Sequence, residues 1–314
     1  MYPKTKYRYG FIDTSGRHSI TRKYDYARGF SEGLAFVVSD GRAGYINKTG
    51  NMVLILCDKV PAFDLSYCIG GKFSEGLAPF CVEGKCGYID KTGKFVIARQ
   101  FELAERFSDG LALVWKAGTA GYIDRSGRLL IRLAAVEGSE RGNRFAEGLA
   151  RVTVGDKYGY MDKAGQVVIP PRFNEAMAFA EGLALVEVNE KEGQGRLAFI
   201  DKTGKIVVRT EFSTDGDLER NSTDFSEGLA SLTEGLSPTV TNGNWFYIDR
   251  KGEIAFITNF AYAGQFSEGF ACVNDGSDKW GFIDKTGKIV IPTQFNIVDF
   301  EGFSEGLVSV ATID

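Results

Sequence analysis

Residues 279–292 read Lys-Trp-Gly-Phe-Ile-Asp-Lys-Thr-Gly-Lys-Ile-Val-Ile-Pro, and this stretch decides the fold. It predicts an aromatic strand, a tight Asp-Lys-Thr-Gly turn and a second apolar strand. Versions of this phrase occur eight times in 314 residues and alternate with a Phe-Ser-Glu-Gly-Leu-Ala phrase. The second phrase begins at Phe30, Phe73, Phe107, Phe145, Phe179, Phe225, Phe266 and Phe303, which we use to number units 1 to 8. Such regular alternation indicates a repeat protein.

Each unit is predicted to contain three short strands. The clearest copies are Leu183–Val188 for the first strand, Gly121–Asp124 for the second and Lys288–Ile291 for the third. In the turn between the second and third strands, the Asp side chain caps the backbone and Gly supplies a positive φ. The third strand often ends in proline, as at Pro170 and Pro292, which predicts a sheet edge or a stop.

A fourth segment, such as residues 173–179, joins one unit to the next. It is too short for a stable helix, so we expect either a fourth, outer strand or an irregular return. The second strand is apolar on both faces, as in Phe282 and Ile283. Both faces of the sheet must therefore be covered, and only neighbouring units can do this.

The two ends of the chain discriminate between two arrangements of these units. The sequence opens on a second strand, Tyr9 to Asp13, and closes on a first strand, Leu307 to Ala311. The N-terminal strand has no first strand before it, and the C-terminal strand has no second strand after it, so the two can complete one unit. We therefore predict an all-β repeat protein, a closed eight-bladed β-propeller in which the terminal strands complete one blade. The alternative is an open superhelical stack of small antiparallel β-sheets. Either way, residues 1–314 form a single repeat domain of eight units.

Composition excludes several classes of function. The net charge is −4, the pI is about 5.4, and the lysines are dispersed, so no nucleic-acid partner is expected. No apolar run approaches the roughly 18 residues of a membrane span. The start of the chain has no signal-peptide pattern, which predicts a cytoplasmic protein, or a secreted one if a leader was removed.

The five cysteines form no zinc-binding pattern. Cys57, Cys68 and Cys272 are expected to be small apolar side chains. Cys81 and Cys86 flank a predicted two-residue turn at Glu83-Gly84, so they should lie opposite each other within bridging range. Without an export signal, the reduced pair is the expectation and a disulfide is the alternative.

Residues 279–292, together with Phe303-Ser304-Glu305-Gly306-Leu307, resemble the WG-repeat family of bacterial proteins. The family is named for the Trp-Gly pair that stands here as Trp280-Gly281, and the resemblance covers nearly the whole chain. It implies a repeat scaffold without defined catalytic residues. The Trp is replaced in other units by Tyr9, Ala43, Cys86, Ala120, Tyr158 and Leu197, which argues against the Trp as a shared ligand platform.

Catalytic and cofactor motifs are missing from the sequence. His18 is the only histidine, so a catalytic triad or a His/Cys zinc site would rest on one residue in a degenerate unit. No Gly-rich phosphate loop opens a helix. We therefore expect a protein that is not an enzyme and has no cofactor or bound metal.

Two sets of acids recur along the chain. The turn acids are expected to hydrogen-bond within their own turns. They are Asp13, Asp90, Asp124, Asp162, Asp201, Asp249 and Asp284. The second set is expected to accept backbone N–H groups before the first strand, or alternatively to form a negatively charged rim for cations or a basic partner. Its members are Glu32, Glu75, Asp109, Glu147, Glu181, Glu227, Glu268 and Glu305.

Function is predicted where the repeat is interrupted. The spacing between the Gly of Ser-Glu-Gly and the Gly of the second strand is 11 residues in units 1 to 4, but 16 and 18 at the equivalent positions of units 5 and 6. Loops 189–196 and 233–244 should therefore emerge side by side on one face. The predicted binding residues are Glu190, Lys191, Arg196, Thr239, Asn242, Asn244, Trp245 and Phe246.

Three functions are compared on this basis. The leading hypothesis is a non-enzymatic scaffold that binds another protein through these loops, with aromatic anchors in a polar rim. The second is a lectin-like module with shallow repeated sites for a carbohydrate or small ligand. The third is a hydrolase or lyase with an acidic site in the central opening, for which no acid/base pair stands out.

Overall fold

The computed structural model describes residues 7–58, 68–133, 144–189, 195–214, 224–233 and 245–313. All regular elements in these ranges are strands, and they form eight small antiparallel sheets, one for each unit. No helix in the described ranges is long and apolar enough to cross a membrane. This arrangement matches the all-β expectation.

The strands follow the units along the chain. Units 1 to 3 contain β3 (Tyr26–Ala27), β4 (Ala35–Ser39), β5 (Arg42–Ile46), β6 (Met52–Cys57), β7 (Cys68–Gly70), β8 (Ala78–Val82), β9 (Lys85–Ile89), β10 (Phe95–Phe101), β11 (Leu103–Ala104), β12 (Ala112–Lys116), β13 (Thr119–Ile123) and β14 (Leu129–Arg132). Units 4 to 6 contain β15 (Leu149–Val154), β16 (Lys157–Asp162), β17 (Val167–Phe173), β18 (Ala184–Asn189), β19 (Gly195–Ile200), β20 (Ile206–Thr214), β21 (Leu229–Thr233), β22 (Trp245–Asp249) and β23 (Ile254–Ile257). Unit 7 contains β24 (Tyr262–Ser267), β25 (Phe270–Asn274), β26 (Trp280–Asp284) and β27 (Ile289–Phe295).

Unit 8 is assembled from both ends of the chain. It contains β28 (Ile297–Val298), β29 (Leu307–Ile313), β1 (Tyr7–Asp13) and β2 (His18–Tyr24), in the sheet order β2-β1-β29-β28. The pairing of β1 with β29 is unbroken from Tyr7 opposite Ile313 to Asp13 opposite Leu307. The prediction of an eight-bladed β-propeller whose terminal strands complete one blade is therefore confirmed.

The order of strands within a unit decides between the two alternatives for the fourth segment and corrects one detail of the third strand. In units 1, 2, 3, 7 and 8 the fourth segment forms a leading strand that pairs with the first strand of its own unit, as β3 does with β4. It is the edge strand on the side of the sheet away from the third strand. The third strand is the predicted sheet edge, but proline does not stop it. In β17 the strand continues through Pro170 to Phe173, and in β27 through Pro292 to Phe295. A proline is tolerated there because an edge strand needs no second row of N–H donors.

The glycine of the second strand is required by a close backbone contact. The pairing of second and third strands is interrupted by register shifts, which bring the third strand against this glycine. A Cβ on Gly87 would lie 2.5 Å from the Ile97 carbonyl oxygen, and a Cβ on Gly281 would lie 2.5 Å from that of Ile291. The Gly of the Trp-Gly pair therefore makes room for the backbone of the third strand beside it.

Neighbouring units cover each other through a repeated aromatic contact. The Tyr45 ring of unit 1 packs 4.9 Å from the Phe73 ring of unit 2, and the Tyr88 ring of unit 2 packs 4.8 Å from Phe107 of unit 3. The Tyr45 hydroxyl also donates to the Gly71 carbonyl oxygen at 2.8 Å. Equivalent ring pairs join Phe11 with Phe30, Tyr160 with Phe179, Phe199 with Phe225 and Tyr247 with Phe266. This contact confirms that neighbours bury the two-sided second strand.

The chain divides into two compact parts, one built from units 8, 1, 2 and 3 and the other from units 4 to 7. Each has its own buried clusters. Phe11, Phe30 and Ile46 pack together in the first part, and Phe199, Phe225 and Phe246 in the second. The grouping of all eight units in one domain stays a prediction.

The cysteines depart from expectation. Cys81 and Cys86 lie opposite each other across the β8–β9 hairpin and are joined by a disulfide, so the expected reduced pair is wrong. The hairpin explains their proximity, since Glu83 and Gly84 both take positive φ values of 51° and 71° and close a two-residue turn. Cys57 is also disulfide-bonded, contrary to prediction. Cys272 is a free, buried thiol, as expected.

Candidate functional site

The predicted loops occupy the same position in two consecutive units. In units 1 to 3 the first hairpin closes on two residues, Asp40-Gly41, Glu83-Gly84 and Ala117-Gly118. In unit 5 the described ladder ends where Asn189 pairs with Gly195, and in unit 6 where Thr233 pairs with Trp245. The intervening loops 190–194 and 234–244 therefore replace a two-residue turn in each unit.

Most of the predicted binding residues lie in these loops. Outside the described residues are Glu190, Lys191, Thr239, Asn242 and Asn244. Arg196 is described and exposed at the base of the unit 5 loop, where its Nη1 donates to the Glu211 carbonyl oxygen at 3.4 Å. It is the predicted residue that the structure places at the surface.

The two predicted aromatic anchors belong to the core. Trp245 is 5% exposed, and its indole Nε1 donates to the Ala261 carbonyl oxygen at 3.0 Å. Phe246 is 0% exposed and packs 5.2 Å from the Phe212 ring. Both side chains support the base of the unit 6 loop, and neither is presented at the surface.

A buried carboxylate near the unit 5 loop was not predicted. Glu187 is only 7% exposed, although it stands two residues before Asn189, the last residue of β18. The strand pattern assigns Glu187 to the first strand of unit 5, but it does not show that the side chain is buried. Its charge could have drawn attention to it, because the equivalent residue in every other unit is uncharged. Those residues are Val38, Cys81, Trp115, Thr153, Thr233, Asn274 and Ala311.

The second set of acids lies in strained two-residue turns. In unit 1, Ser31 pairs with Leu34 across Glu32 and Gly33, whose φ values are 52° and 86°. All eight acids of the set adopt φ values between 50° and 58°. This left-handed conformation is costly for a residue with a Cβ, so the acidic side chain must return some stabilisation.

For six of the eight acids, that stabilisation comes from the next unit of the ring. The Glu227 carboxylate accepts a hydrogen bond from the Gly269 N–H at 3.0 Å, and the Lys285 ammonium lies 2.8 Å from it. The expected backbone N–H bonds are therefore present, but the donor belongs to the neighbouring unit. We call this arrangement the carboxylate clasp. The same N–H bond joins Glu305 to Gly33, Glu32 to Gly76, Glu75 to Gly110, Glu147 to Gly182 and Glu181 to Gly228.

The charge of the clasp is largely neutralised by lysines of the Asp-Lys-Thr-Gly turns. Lys48 pairs with Glu305 at 3.0 Å and Lys91 with Glu32 at 3.0 Å. Lys202 pairs with Glu147 at 2.9 Å. A negatively charged rim that concentrates cations is therefore not what these contacts favour.

Hydrogen bonding sets the ionisation of the clasp. Partial burial acts to raise the pKa of Glu227, but hydrogen bonds from Lys285 and the Gly269 N–H outweigh it, so the pKa lies below its ordinary value. The pKa values of Glu32 and Glu305 are lowered in the same way, against their own partial burial. These carboxylates are ionised throughout the neutral range.

We predict that Glu227→Gln costs about 2 kcal/mol of unfolding free energy at pH 7, because it removes a charge-assisted bond between two units. A lowered folded-state pKa means that the unfolded chain takes up protons first. The carboxylate's contribution is therefore complete above the ordinary pKa of 4.5 and is lost as the pH falls below it. Denaturant unfolding between pH 7 and pH 3 measures this loss.

The matched control is Glu253→Gln in unit 6, because Glu253 is exposed and makes no side-chain hydrogen bond among the described residues. Wild type and this control should lose stability in parallel as the pH falls, whereas the curve of Glu227→Gln should approach that of wild type. Curves that stay a constant distance apart down to pH 3 would contradict the clasp as an ionised contact.

The turn acids behave as predicted. Asp284 Oδ1 accepts hydrogen bonds from the Thr286 and Lys288 N–H groups at 2.9 and 3.1 Å and from the Thr286 hydroxyl at 2.6 Å. The Thr286 hydroxyl bond is the main cause that lowers the pKa of Asp284. The same pattern is found at Asp13, Asp90, Asp124 and Asp201. Their hydrogen bonds are local, and they are not gathered into a site.

One charged network connects non-adjacent units in the first compact part. Unit 8 carries two extra residues between its leading strand and Phe303, and this insertion brings Glu301 2.9 Å from Arg106 and 3.0 Å from Lys72. Lys72 also lies 3.0 Å from Asp299. Partial burial acts to raise the pKa of Glu301, but the Arg106 and Lys72 charges bring it to about 2. These four side chains pair with one another, which makes the network a structural tie between units.

No group of three or more His, Cys, Asp or Glu side chains within the described residues could hold a metal ion. His18 lies exposed in strand β2, and burial together with the nearby Arg22 charge lowers its pKa.

The family is established by five matches along the chain. The WG containing repeat matches residues 9–42, 87–118, 158–191, 245–277 and 280–311, which together make up more than half of the sequence. The protein therefore belongs to the WG containing repeat family. No curated protein matches the chain.

Solved structures support the propeller architecture. BamB from Moraxella catarrhalis, a β-propeller protein, is 15% identical and aligns over 92% of this chain and 96% of its own, with a TM-score of 0.52. A eukaryotic initiation factor is 10% identical over 87% of this chain and 74% of its own, with a TM-score of 0.54. At these identities the likeness concerns the fold alone.

Proposed function

We propose that this protein is a non-enzymatic scaffold that binds another protein through the ends of units 5 and 6 that carry loops 189–196 and 233–244. The observation that supports it most directly is the replacement of a two-residue turn by a long loop in two consecutive units. Units 5 and 6 are consecutive, and the described strand ends that carry the two loops lie at the same end of their sheets. A β-propeller supplies the rigid support that a binding surface needs.

The opposite ends of the strands are already occupied. In each unit the Ser-Glu-Gly turn and the Asp turn lie at one end of the strands, and the first hairpin lies at the other, because successive strands are antiparallel. The first end carries the carboxylate clasp and the capped aspartates, whose hydrogen bonds stay within the protein. Variation between units is concentrated at the hairpin end, which supports recognition there.

The two alternative functions have less support. A lectin-like module with sites between units would need space that the clasp and the tyrosine contacts fill, as between Tyr88 and Phe107. A hydrolase or lyase would need a carboxyl group free to act as a general acid or base. The acids described above whose pKa is lowered are instead paired with cations, as Glu301 is, or hydrogen-bonded within turns, as Asp284 is. We therefore propose a binding function without catalysis.

Cellular location remains a prediction. The sequence favours the cytoplasm, with secretion as the alternative if a leader was removed. The Cys81–Cys86 disulfide supports the alternative, since such bonds persist mainly in oxidising compartments.

The experiment replaces residues 190–194 and 234–244 each by Asn-Gly, the sequence best suited to a two-residue hairpin turn. We predict that the trimmed protein unfolds within a few degrees of wild type but no longer retains the proteins that tagged wild type co-purifies, as identified by mass spectrometry. A matched control introduces Asn-Gly at Ala117-Gly118 in unit 3 and keeps all binding. Equal retention of partners by trimmed and wild-type protein would refute the proposal.

A further inference from the structure

Glu187 is the buried carboxylate of the described chain. Among the described residues it is the only buried Asp or Glu, with 7% exposure. It lies in β18 close to the unit 5 loop, on the side of the molecule assigned above to binding. A buried carboxylate is costly unless its oxygens are matched by donors, so its partners decide what it does.

An amide holds one of its two oxygens. The Asn174 Nδ2 donates to Glu187 Oε1 at 3.0 Å, and the Lys157 ammonium donates to Asn174 Oδ1 at 2.7 Å. The lysine bond fixes which way the amide points, because an ammonium group can only donate. Lys157 also pairs with Asp156 at 3.2 Å, so its charge reaches Glu187 only through the amide.

The second oxygen is available. In the ranges that the structure describes, Glu187 Oε1 has a hydrogen-bond partner and Oε2 has none. The residue as a whole keeps 7% of its surface exposed. A Cβ on Gly195, across the hairpin, would overlap the Glu187 carboxylate, so this glycine leaves the room in which the carboxylate lies.

We propose that Glu187 Oε2 binds one cationic side chain, a lysine ammonium or an arginine guanidinium, contributed by the partner protein. The inference rests on the proposed function, because the carboxylate lies at the base of the loop surface of unit 5. A cation supplies the donor that Oε2 lacks and the counter-charge that a buried carboxylate needs. Asn174 orients the carboxylate and contributes no charge of its own.

The Glu187 carboxylate can be reached by a single side chain of a partner and not by a broad surface. Glu187 is buried by its neighbours, so a ligand reaches it only with the tip of a long side chain. Lysine and arginine combine such length with a charged end. The site would thus add specificity to a wider protein contact, as buried charges at interfaces do.

The test uses a random peptide library displayed on phage and selected on the wild-type protein. Peptides that bind should be enriched in lysine or arginine. Their affinity should fall more than about tenfold on Glu187→Gln, which keeps the size and the hydrogen bond to Asn174 but removes the charge. Gly195→Ala should weaken them as well, because it displaces the carboxylate without altering any charge. Glu253→Gln, at an exposed carboxylate, is the matched control and should bind as wild type.

A double-mutant cycle combines Glu187→Gln with replacement of the peptide's lysine or arginine by glutamine. The two changes together should weaken binding by less than the sum of their separate effects. Selected peptides without a cation, or equal binding by wild type and Glu187→Gln, would overturn the inference. Trimming the 234–244 loop alone separates it from the proposed function. If trimming abolishes binding and Glu187→Gln does not, the loop surface stands and the cation site falls. The reverse result retains the cation site and removes the loop surface.

Discussion

Deletion of residues 303–314 is expected to abolish cooperative unfolding of the compact part that contains units 8, 1, 2 and 3. The deletion removes β29, which pairs with all seven residues of β1. It also exposes the interior of unit 8, since Phe303, Val308, Val310 and Ala311 are each 0% exposed. Burial of a large apolar side chain contributes about 2 kcal/mol. Their sum is comparable to the net stability of about 5–15 kcal/mol typical of a folded protein.

Differential scanning calorimetry and denaturant unfolding measure this effect. The control is a circular permutant in which a short Gly-Ser linker joins the two ends and the chain is opened at the Ala117-Gly118 turn. It keeps β29 beside β1 and should unfold in one sharp transition close to wild type. A truncated chain with the wild-type transition would show that β29 is not needed to complete unit 8.

Gly281→Ala is expected to destabilise the protein by about 3 kcal/mol, because overpacking against backbone cannot be relieved by a change of rotamer. The new Cβ would lie 2.5 Å from the Ile291 carbonyl oxygen and 2.7 Å from the Thr293 nitrogen. Either the β26–β27 pair must separate or the backbone of β27 must be rearranged. Urea unfolding of the purified variant measures the loss.

Ala198→Gly is the matched control at the equivalent position of unit 5. There the third strand is held differently, with the Thr210 hydroxyl donating to the Leu197 carbonyl oxygen at 2.8 Å. The change should cost only about 0.5–1 kcal/mol, the ordinary penalty for glycine in a strand. A loss at Gly281 no larger than at Ala198 would show that the close contact can relax.

The repeated pattern made the fold predictable. Strand periodicity, the Asp turns and the Glu83-Gly84 hairpin all depend on residues close in sequence, and each is found as expected. The pairing of β1 with β29 also followed from the sequence, because each end lacked what the other supplies. Local chemistry and the count of strands were sufficient for these features.

Contacts between units were harder to infer. The backbone acceptor role of Glu227 was expected, but its donor, Gly269, belongs to the next unit, and strand register within one sheet does not determine that geometry. Trp245 and Phe246 lie beside a long loop and suggested a surface, yet the second strand is buried on both faces. Glu187 was not predicted because the residues beside its carboxylate are not its neighbours in sequence. Asn174 is 13 residues away, and Gly195 lies on the other side of the unit 5 loop.

The carboxylate clasp has a consequence for how such a chain can grow. Units 1, 2, 5 and 6 each carry both halves of the joint, an acid for the unit that follows and a glycine N–H for the unit that precedes, as Glu32 and Gly33 do in adjacent positions. Tandem duplication of a whole unit would therefore create one new joint of the existing kind and leave no acid or N–H without its counterpart. A gene built this way can change its number of copies by recombination without first inventing a new interface.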